Sequence, residues 1–317
     1  MELEAEHMYV CFMSDAAAMR ALAAPVTTAV FPRRTARRES PVRGRTRQAS
    51  GAGHNRAVAT RLVMLDIDGV LVVSWEPLPG AIEAVRALRD AGLAVQFLTN
   101  TTSRPAAAVR AALRAVGFEV GADELTTAAV ATAGYLAEHH AGARCLVLND
   151  GPLDDLGDVR IAGERDTVEV VVIGGAGPSF DWPTINRAAR AVLDGAALVG
   201  MHGAGRWLTA EGVCVDGGAY LAALEYATGV RATVVGKPAP AMFTQAVARA
   251  GVEPREAVMV GDDVVADVLA AQAVGIRGVL VRTGKFTPDT LRSAAVAPDA
   301  VLDSVADVPG LLARTAG

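Results

Sequence analysis

The chain has 317 residues, of which 51% are hydrophobic and 21% charged. This is an ordinary soluble composition, and the length suggests two domains. The net charge is −5, and no apolar run of about 18 residues lacks a charge or turn signal, so no membrane span is expected. Three cysteines, Cys11, Cys145 and Cys214, are far apart and form no metal-ligand or paired pattern. A reduced, cytoplasmic location is the expectation.

Charge is unevenly spread. Residues 1–61 carry ten arginines and five acids, which leaves 20 basic and 30 acidic residues in the remainder. So acidic a body argues against nucleic acid as the main partner. Residues 1–60 lack a sustained hydrophobic period, and from Phe31 onward they are rich in Arg, Ser, Thr, Pro and Gly. A disordered Arg-rich extension is expected there, with a basic interaction arm and a targeting segment left open. The chain has two lysines, Lys237 and Lys285, beside 28 arginines. A lysine at a candidate site is therefore less easily dismissed as an arbitrary surface cation.

Folding is expected to begin near Arg61. The run Leu62-Val63-Met64-Leu65 leads into Asp66-Ile67-Asp68-Gly69, the pattern of a buried strand whose C-terminal end meets solvent. Asp66 and Asp68 are two residues apart and would point to the same side of a strand. Two carboxylates that close repel unless a cation or a shared proton lies between them. A helix is predicted after Gly80, then a second buried strand at 93–98 that ends in Thr99-Asn100, then a helix to about Val116 for which Ser103 could serve as N-cap. Strand, helix, strand, helix predicts a parallel sheet.

From Glu124 to Arg231 the alternation continues with Gly-rich loops at 174–177 and 202–205, and this stretch reads as an inserted α/β domain. The first domain is expected to resume at 232 with the strand Thr233-Val234-Val235 and with Gly236-Lys237-Pro238. A strand ending in Gly261-Asp262-Asp263 follows, then a helix containing Asp267, then a strand before Thr283-Gly284-Lys285. The polar clusters fall where strands stop, which is where open α/β sheets place ligands.

Asp66, Asp68, Asp262, Asp263 and Asp267 form a set of hard oxygen donors with no thiolate or imidazole, suited to Mg²⁺. Lys237 can neutralise a phosphate oxygen as a point cation, and Thr99 and Asn100 can donate hydrogen bonds to one. A carboxylate acting as nucleophile would give an aspartyl-phosphate route.

These motifs, in this order, resemble those of the haloacid dehalogenase (HAD) superfamily. The insertion between the second and third motifs resembles the C2 cap of subfamily IIA, the NagD-like proteins. Val234-Val235-Gly236-Lys237-Pro238 and Val281-Arg282-Thr283-Gly284-Lys285-Phe286 are similar to the branch that holds phospholysine phosphohistidine inorganic pyrophosphate phosphatase and the HAD-like hydrolase domain-containing 2 proteins. The resemblance implies an α/β fold: a Rossmann-like parallel-sheet core from 61–123 and 232–317, with a C2-type cap at 124–231. It implies a Mg²⁺-dependent phosphatase of small phosphorylated compounds (phosphoester, phosphoramidate or pyrophosphate) with Asp66 as nucleophile and Asp68 as general acid/base. Asp66, the Asp68 backbone carbonyl and Asp262 would hold the ion. Thr99, Asn100 and Lys237 would bind the phosphoryl group, and Asp263 and Asp267 would stand behind them. In the cap, Met201-His202-Gly203-Ala204 replaces the Asn-Pro-Asp turn often found in NagD-type proteins, which leaves sugar or nucleotide specificity unassigned. Arg206 and Trp207 are the expected substrate contacts there, and His202 is the better functional candidate among the histidines; His139 and His140 read as a solvated helix end.

The expected partner is a small phosphorylated molecule, with no nucleic acid and no membrane, and with a homo-oligomer through the cap left open. A non-catalytic phospho-aspartate switch or scaffold of the same fold remains the alternative.

Overall fold

A computed structural model of the chain describes residues 59–209 and 212–315. The segment expected to be a disordered extension lies, up to residue 58, outside the described residues.

In chain order the strands are β1 (Leu62–Asp66), a short hairpin β2 (Val72–Val73) and β3 (Glu76–Pro77), β4 (Ala94–Thr99), β5 (Leu125–Thr127), β6 (Arg144–Leu148), β7 (Arg160–Ile161), β8 (Val170–Ile173) and β9 (Ala197–Gly200). They continue with β10 (Arg206–Thr209), β11 (Gly212–Val215), β12 (Thr233–Val234), β13 (Ala257–Gly261), β14 (Arg277–Val281) and β15 (Ala300–Leu302). The larger sheet runs β15-β14-β13-β1-β4-β5, and the second runs β12-β9-β8-β6-β7. Every pairing within both sheets is parallel. This is the parallel α/β architecture expected from the alternating pattern. None of the described helices is long and apolar enough to cross a membrane.

β1 lies in the middle of its sheet and is buried over all five residues. Its side chains alternate between two cores, as the strand period requires. Val63 and Leu65 pack with the helices at 81–90, 106–115 and 308–315, together with Phe97, Val258 and Val260. Leu62 and Met64 point the other way, into a cluster with Leu98, Met259, Met242 and Phe243. At roughly 1.5–3 kcal/mol for each large apolar side chain buried, β1 is a rigid base for whatever its last residue carries.

The second cluster also contains Cys145, Val170, Val172 and Val199 from the second sheet. The opposite face of that sheet, with Leu146, Val171, Ile173 and Leu198, is covered by the helices at 182–193 and 217–228. The two sheets thus share one layer of apolar side chains.

Sheet membership differs from the expected boundaries at two short strands. β5, just past the boundary at 123/124, pairs with β4 and belongs to the larger sheet. β12, expected to reopen the first domain, pairs with β9 and closes the second sheet instead. The helix after β4 also departs from expectation. It begins at Ala106 behind Pro105 with no side-chain cap from its own chain segment, so Ser103 does not cap it. Asp155, 49 residues on, accepts a hydrogen bond from the Ala106 N–H at 2.8 Å and another from Thr127 Oγ1 at 3.1 Å.

Candidate active site

Parallel register gathers the strand ends. Asp66 lies opposite Leu98 and Leu65 opposite Val260, so Thr99 and Asn100 arrive on one side of Asp66 and Asp262 on the other. Gly69 turns the chain away at φ +83°, and a Cβ there would overlap the Asp262 carboxylate. That close approach explains why the chain leaves the strand through a glycine.

Lys237 is 4% exposed, and its ammonium is held between two carboxylates, Asp66 Oδ1 at 2.6 Å and Asp267 Oδ1 at 2.7 Å. Burial alone would lower the lysine pKa, but the charges of Asp267 and Asp66 outweigh it and raise it. The lysine backbone is fixed as well, because its carbonyl accepts from Asn100 Nδ2 at 2.8 Å. The sequence placed Asn100 and Lys237 together at a phosphate. Here the asparagine amide also positions the lysine.

Asp262 is 1% exposed. Its Oδ2 accepts from the Lys285 backbone N–H at 2.6 Å, whereas its Oδ1 is buried with no hydrogen-bond partner. Burial, and then the charge of Asp66, push its pKa up to about 8. Asp66, Asp262 and Asp267 bring carboxylate oxygens within 4.8 Å of one another. A buried oxygen with no donor, facing like charges, is short of a cation. The donors are all hard oxygens, so the residues fit Mg²⁺.

Asp267 differs in part from its expected background place. It belongs to this carboxylate cluster, but its Oδ1 is engaged by Lys237. Burial dominates its titration and carries its pKa up to about 6 despite the opposing lysine. Asp263 is a helix cap. Its Oδ1 accepts from the N–H groups of Val265 and Ala266, both at 2.9 Å, at the head of a π-helical turn over Val264–Leu269. That turn brings Asp267 Oδ2 back to the Asp263 N–H at 3.2 Å.

Asp68 stands at the mouth of a cavity of about 190 Å³ that Asp66, Thr99, Asn100, Lys237 and Lys285 also line. Desolvation and then the charge of Asp66 raise its pKa, against the opposing fields of Lys285 and Lys237. A group that keeps its proton longer than an ordinary aspartate is suited to giving one up during a reaction.

A second cavity, also about 190 Å³, shares Asn100 and Thr101 with the first and is lined further by residues that follow the ends of β6, β8 and β9. Its far wall has His202, Trp207, Asp150 and Asp216. His202 is 4% exposed and its pKa is lowered by burial, although Asp216 opposes the shift. Its Nδ1 accepts from the Ala204 N–H at 3.2 Å, and its Nε2 lies 3.9 Å from Asp216 Oδ2. Asp216 also accepts from the N–H groups of Gly217 at 2.8 Å and Ala176 at 3.1 Å. Trp207 therefore reaches the site, whereas Arg206, its expected companion, is exposed and lines neither cavity.

Sequence reasoning missed four contributors. Asn149 ties the sheets together across the site, donating to the Thr102 carbonyl at 3.2 Å while its Oδ1 accepts from the Gly175 N–H at 2.8 Å. Asp150 and Asp216 had no motif to mark them. Lys285 had a compositional signal, as one of only two lysines, but no role was attached to it.

Comparison with known proteins agrees with this geometry. The haloacid dehalogenase-like hydrolase family matches residues 63–158, and a HAD-hydrolase-like family matches residues 234–308. Among curated proteins, human haloacid dehalogenase-like hydrolase domain-containing protein 2 is 38% identical over 228 residues, 72% of this chain and 86% of that protein. Mouse phospholysine phosphohistidine inorganic pyrophosphate phosphatase is 35% identical over 266 residues, 82% of this chain and 96% of that protein. Among solved structures, the p-nitrophenyl phosphatase from Archaeoglobus fulgidus superposes with a TM-score of 0.75 at 28% identity, covering 80% of this chain and 99% of its own. NagD from E. coli K-12 gives 0.71 at 28% identity, covering 78% and 98%. With its four motifs gathered at one site and relatives matched over most of their length, the chain belongs to the haloacid dehalogenase-like hydrolase family, among its phosphatases.

Proposed function

We propose that the chain hydrolyses small phosphorylated compounds through a phosphoryl-aspartate formed on Asp66. The observation that carries this reading is the clamp on Asp66. Lys237 occupies Oδ1 at 2.6 Å, which leaves the other carboxylate oxygen to attack phosphorus. As that O–P bond forms, the bond to the departing group breaks, and its electron pair goes to an oxygen or nitrogen that takes the Asp68 proton. Asp68, now a carboxylate, then removes a proton from the water that attacks phosphorus and releases phosphate from Asp66. Thr99 and Asn100 line the cavity where the phosphoryl oxygens would sit, and Lys237 balances their charge.

Asp66, Asp262 and the Asp68 backbone carbonyl are the groups we assign to a Mg²⁺ ion, with Asp267 holding Lys237 in place. When bound, the ion would lower the repulsion between the carboxylates and the incoming phosphate. The orphaned Asp262 Oδ1 supports that assignment.

The test compares Asp68→Asn with Asp66→Asn on p-nitrophenyl phosphate and on an alkyl phosphate. Nitrophenolate leaves with little help, so Asp68→Asn should release about one nitrophenol per active site and then stall with phosphate on Asp66. Alkyl phosphates, which need the acid, should hardly react. Asp66→Asn should show neither burst nor turnover. Rapid quench and intact-protein mass read both outcomes. Undiminished steady turnover by Asp68→Asn on both substrates would remove Asp68 from the mechanism. A wild-type protein that holds one phosphate and never turns over would favour the switch reading instead.

A further inference from the structure

The mechanism above uses one of the two lysines in the chain and leaves the other without a task. Lys285 lines the same cavity as Asp66, Asp68 and Lys237. The loop that carries it is pinned to the catalytic strand end at several points. Thr283 Oγ1 donates to the Gly69 carbonyl at 2.5 Å, and the Lys285 N–H donates to Asp262 Oδ2 at 2.6 Å. Between them Gly284, at φ +57°, packs so closely against Gly69 and the Asp262 carboxylate that a side chain there would overlap both. Such a loop is positioned by the site itself.

The lysine side chain is used differently from that of Lys237. Lys237 is buried between two carboxylates. Lys285 is exposed at the mouth, and no carboxylate of the described residues lies within ion-pair distance of its ammonium. A cation on a pinned backbone, with three donors and no acceptor among the described residues, beside the phosphoryl pocket, is available to an anion from solution.

We propose that Lys285 forms a second anion subsite, next to the one for the transferred phosphoryl group. It selects substrates whose departing part carries its own negative charge, as a diphosphate does. The inference rests on the phosphatase reading of the Asp66 pocket and adds to it the charge of the leaving side. In a chain that uses arginine for almost every other basic position, the compact ammonium suits a crowded pocket better than a wide guanidinium.

Binding of two unhydrolysable probes separates this claim from catalysis. Calorimetry with methylenediphosphonate and methylphosphonate, at constant free Mg²⁺, gives the preference for a second anionic group in wild type, Lys285→Met and Lys285→Arg. One charge-assisted contact is worth a factor of roughly ten to a hundred in affinity. Wild type should prefer the diphosphonate by about that factor. Lys285→Met should lose most of the preference, and Lys285→Arg should keep much of it. The same preparations are assayed with pyrophosphate and p-nitrophenyl phosphate, where the loss should appear mainly in KM for pyrophosphate. No preference in wild type, an unchanged preference in Lys285→Met, or an equal loss on both probes would overturn the proposal. Absence of p-nitrophenyl phosphate turnover in wild type, with the binding preference present, would instead count against the phosphatase mechanism and leave the subsite standing.

Discussion

Replacing Asp262 by asparagine should make the metal-free protein more stable while destroying its response to Mg²⁺. Its carboxyl is carried from the ordinary 3.8 to about 8 by burial and by Asp66. At ~1.4 kcal/mol for each factor of ten, ionising it inside the fold costs about 6 kcal/mol more than in the unfolded chain. The folded state therefore keeps a proton that the unfolded chain gives up. The Asp262 contribution to stability without metal is full below about pH 4 and is lost as pH rises toward 8. Asparagine has no charge to lose, and its amide can donate toward Asp66 from the position where Oδ1 has no partner. Even a gain of about 2 kcal/mol would raise Tm by roughly 4–8 °C in a fold of this size. Thermal melting at pH 5 and pH 8, in chelator and in excess Mg²⁺, reads all of this. Wild type should melt lower at pH 8 than at pH 5 in chelator and recover with Mg²⁺. Asp262→Asn should show less of the fall and little of the recovery. A variant that melts at or below wild type at pH 8 in chelator, or that gains as much from Mg²⁺, would refute the account of Asp262 as a carboxylate lacking its cation.

Lys237→Arg should not act as a conservative change, because a planar guanidinium cannot enter the space between Asp66 and Asp267; kcat/KM should fall by at least about a hundredfold, a loss of ~3 kcal/mol in transition-state stabilisation, and a near-normal value would place Lys237 off the phosphate path. Lys237→Met leaves two buried carboxylates facing each other and should cost about 3–5 kcal/mol in urea unfolding. Asp155→Ala removes the acceptor for Ala106 N–H and Thr127 Oγ1, and a loss of about 1–2 kcal/mol is expected with kcat unchanged. Trp207→Ala should reorder a panel of phosphorylated substrates yet leave Mg²⁺ dependence alone, since Trp207 lines the cavity beyond the carboxylates; equal losses on every substrate would count against a specificity role.

The catalytic edge was legible in the sequence because its logic is local. An apolar run that stops at a carboxylate, or at Thr-Asn, marks a strand end, and a parallel sheet aligns such ends without further instruction. Sheet membership at the boundaries was not legible. β5 and β12 are three and two residues long, too short for a period to say which sheet they join. Capping of the helix at 106–115 was misread for a similar reason. Ser103 looked suitable nearby, but the acceptor is Asp155, which only the folded chain brings within reach. The lysine count pointed to Lys285 without locating it, since the approach of Gly284 to Gly69 is a tertiary fact. Arg206 and Trp207 are neighbours in sequence but occupy successive positions on β10, and side chains along a strand alternate between its faces.

The apolar layer shared by the two sheets bears on how such enzymes can be recombined. Leu62, Met64 and Met259 from one sheet and Val170, Val172 and Val199 from the other belong to a single cluster. A chimera that grafts a relative's residues 128–235 between these flanks would import a foreign half of that layer. Mismatched volumes there would leave voids or clashes in the cluster that β1 also enters, at about 1–3 kcal/mol for each misfit side chain. Grafts should therefore succeed when the inward-facing residues at 145, 170, 172 and 199 are kept from the host, and only the walls of the second cavity are exchanged.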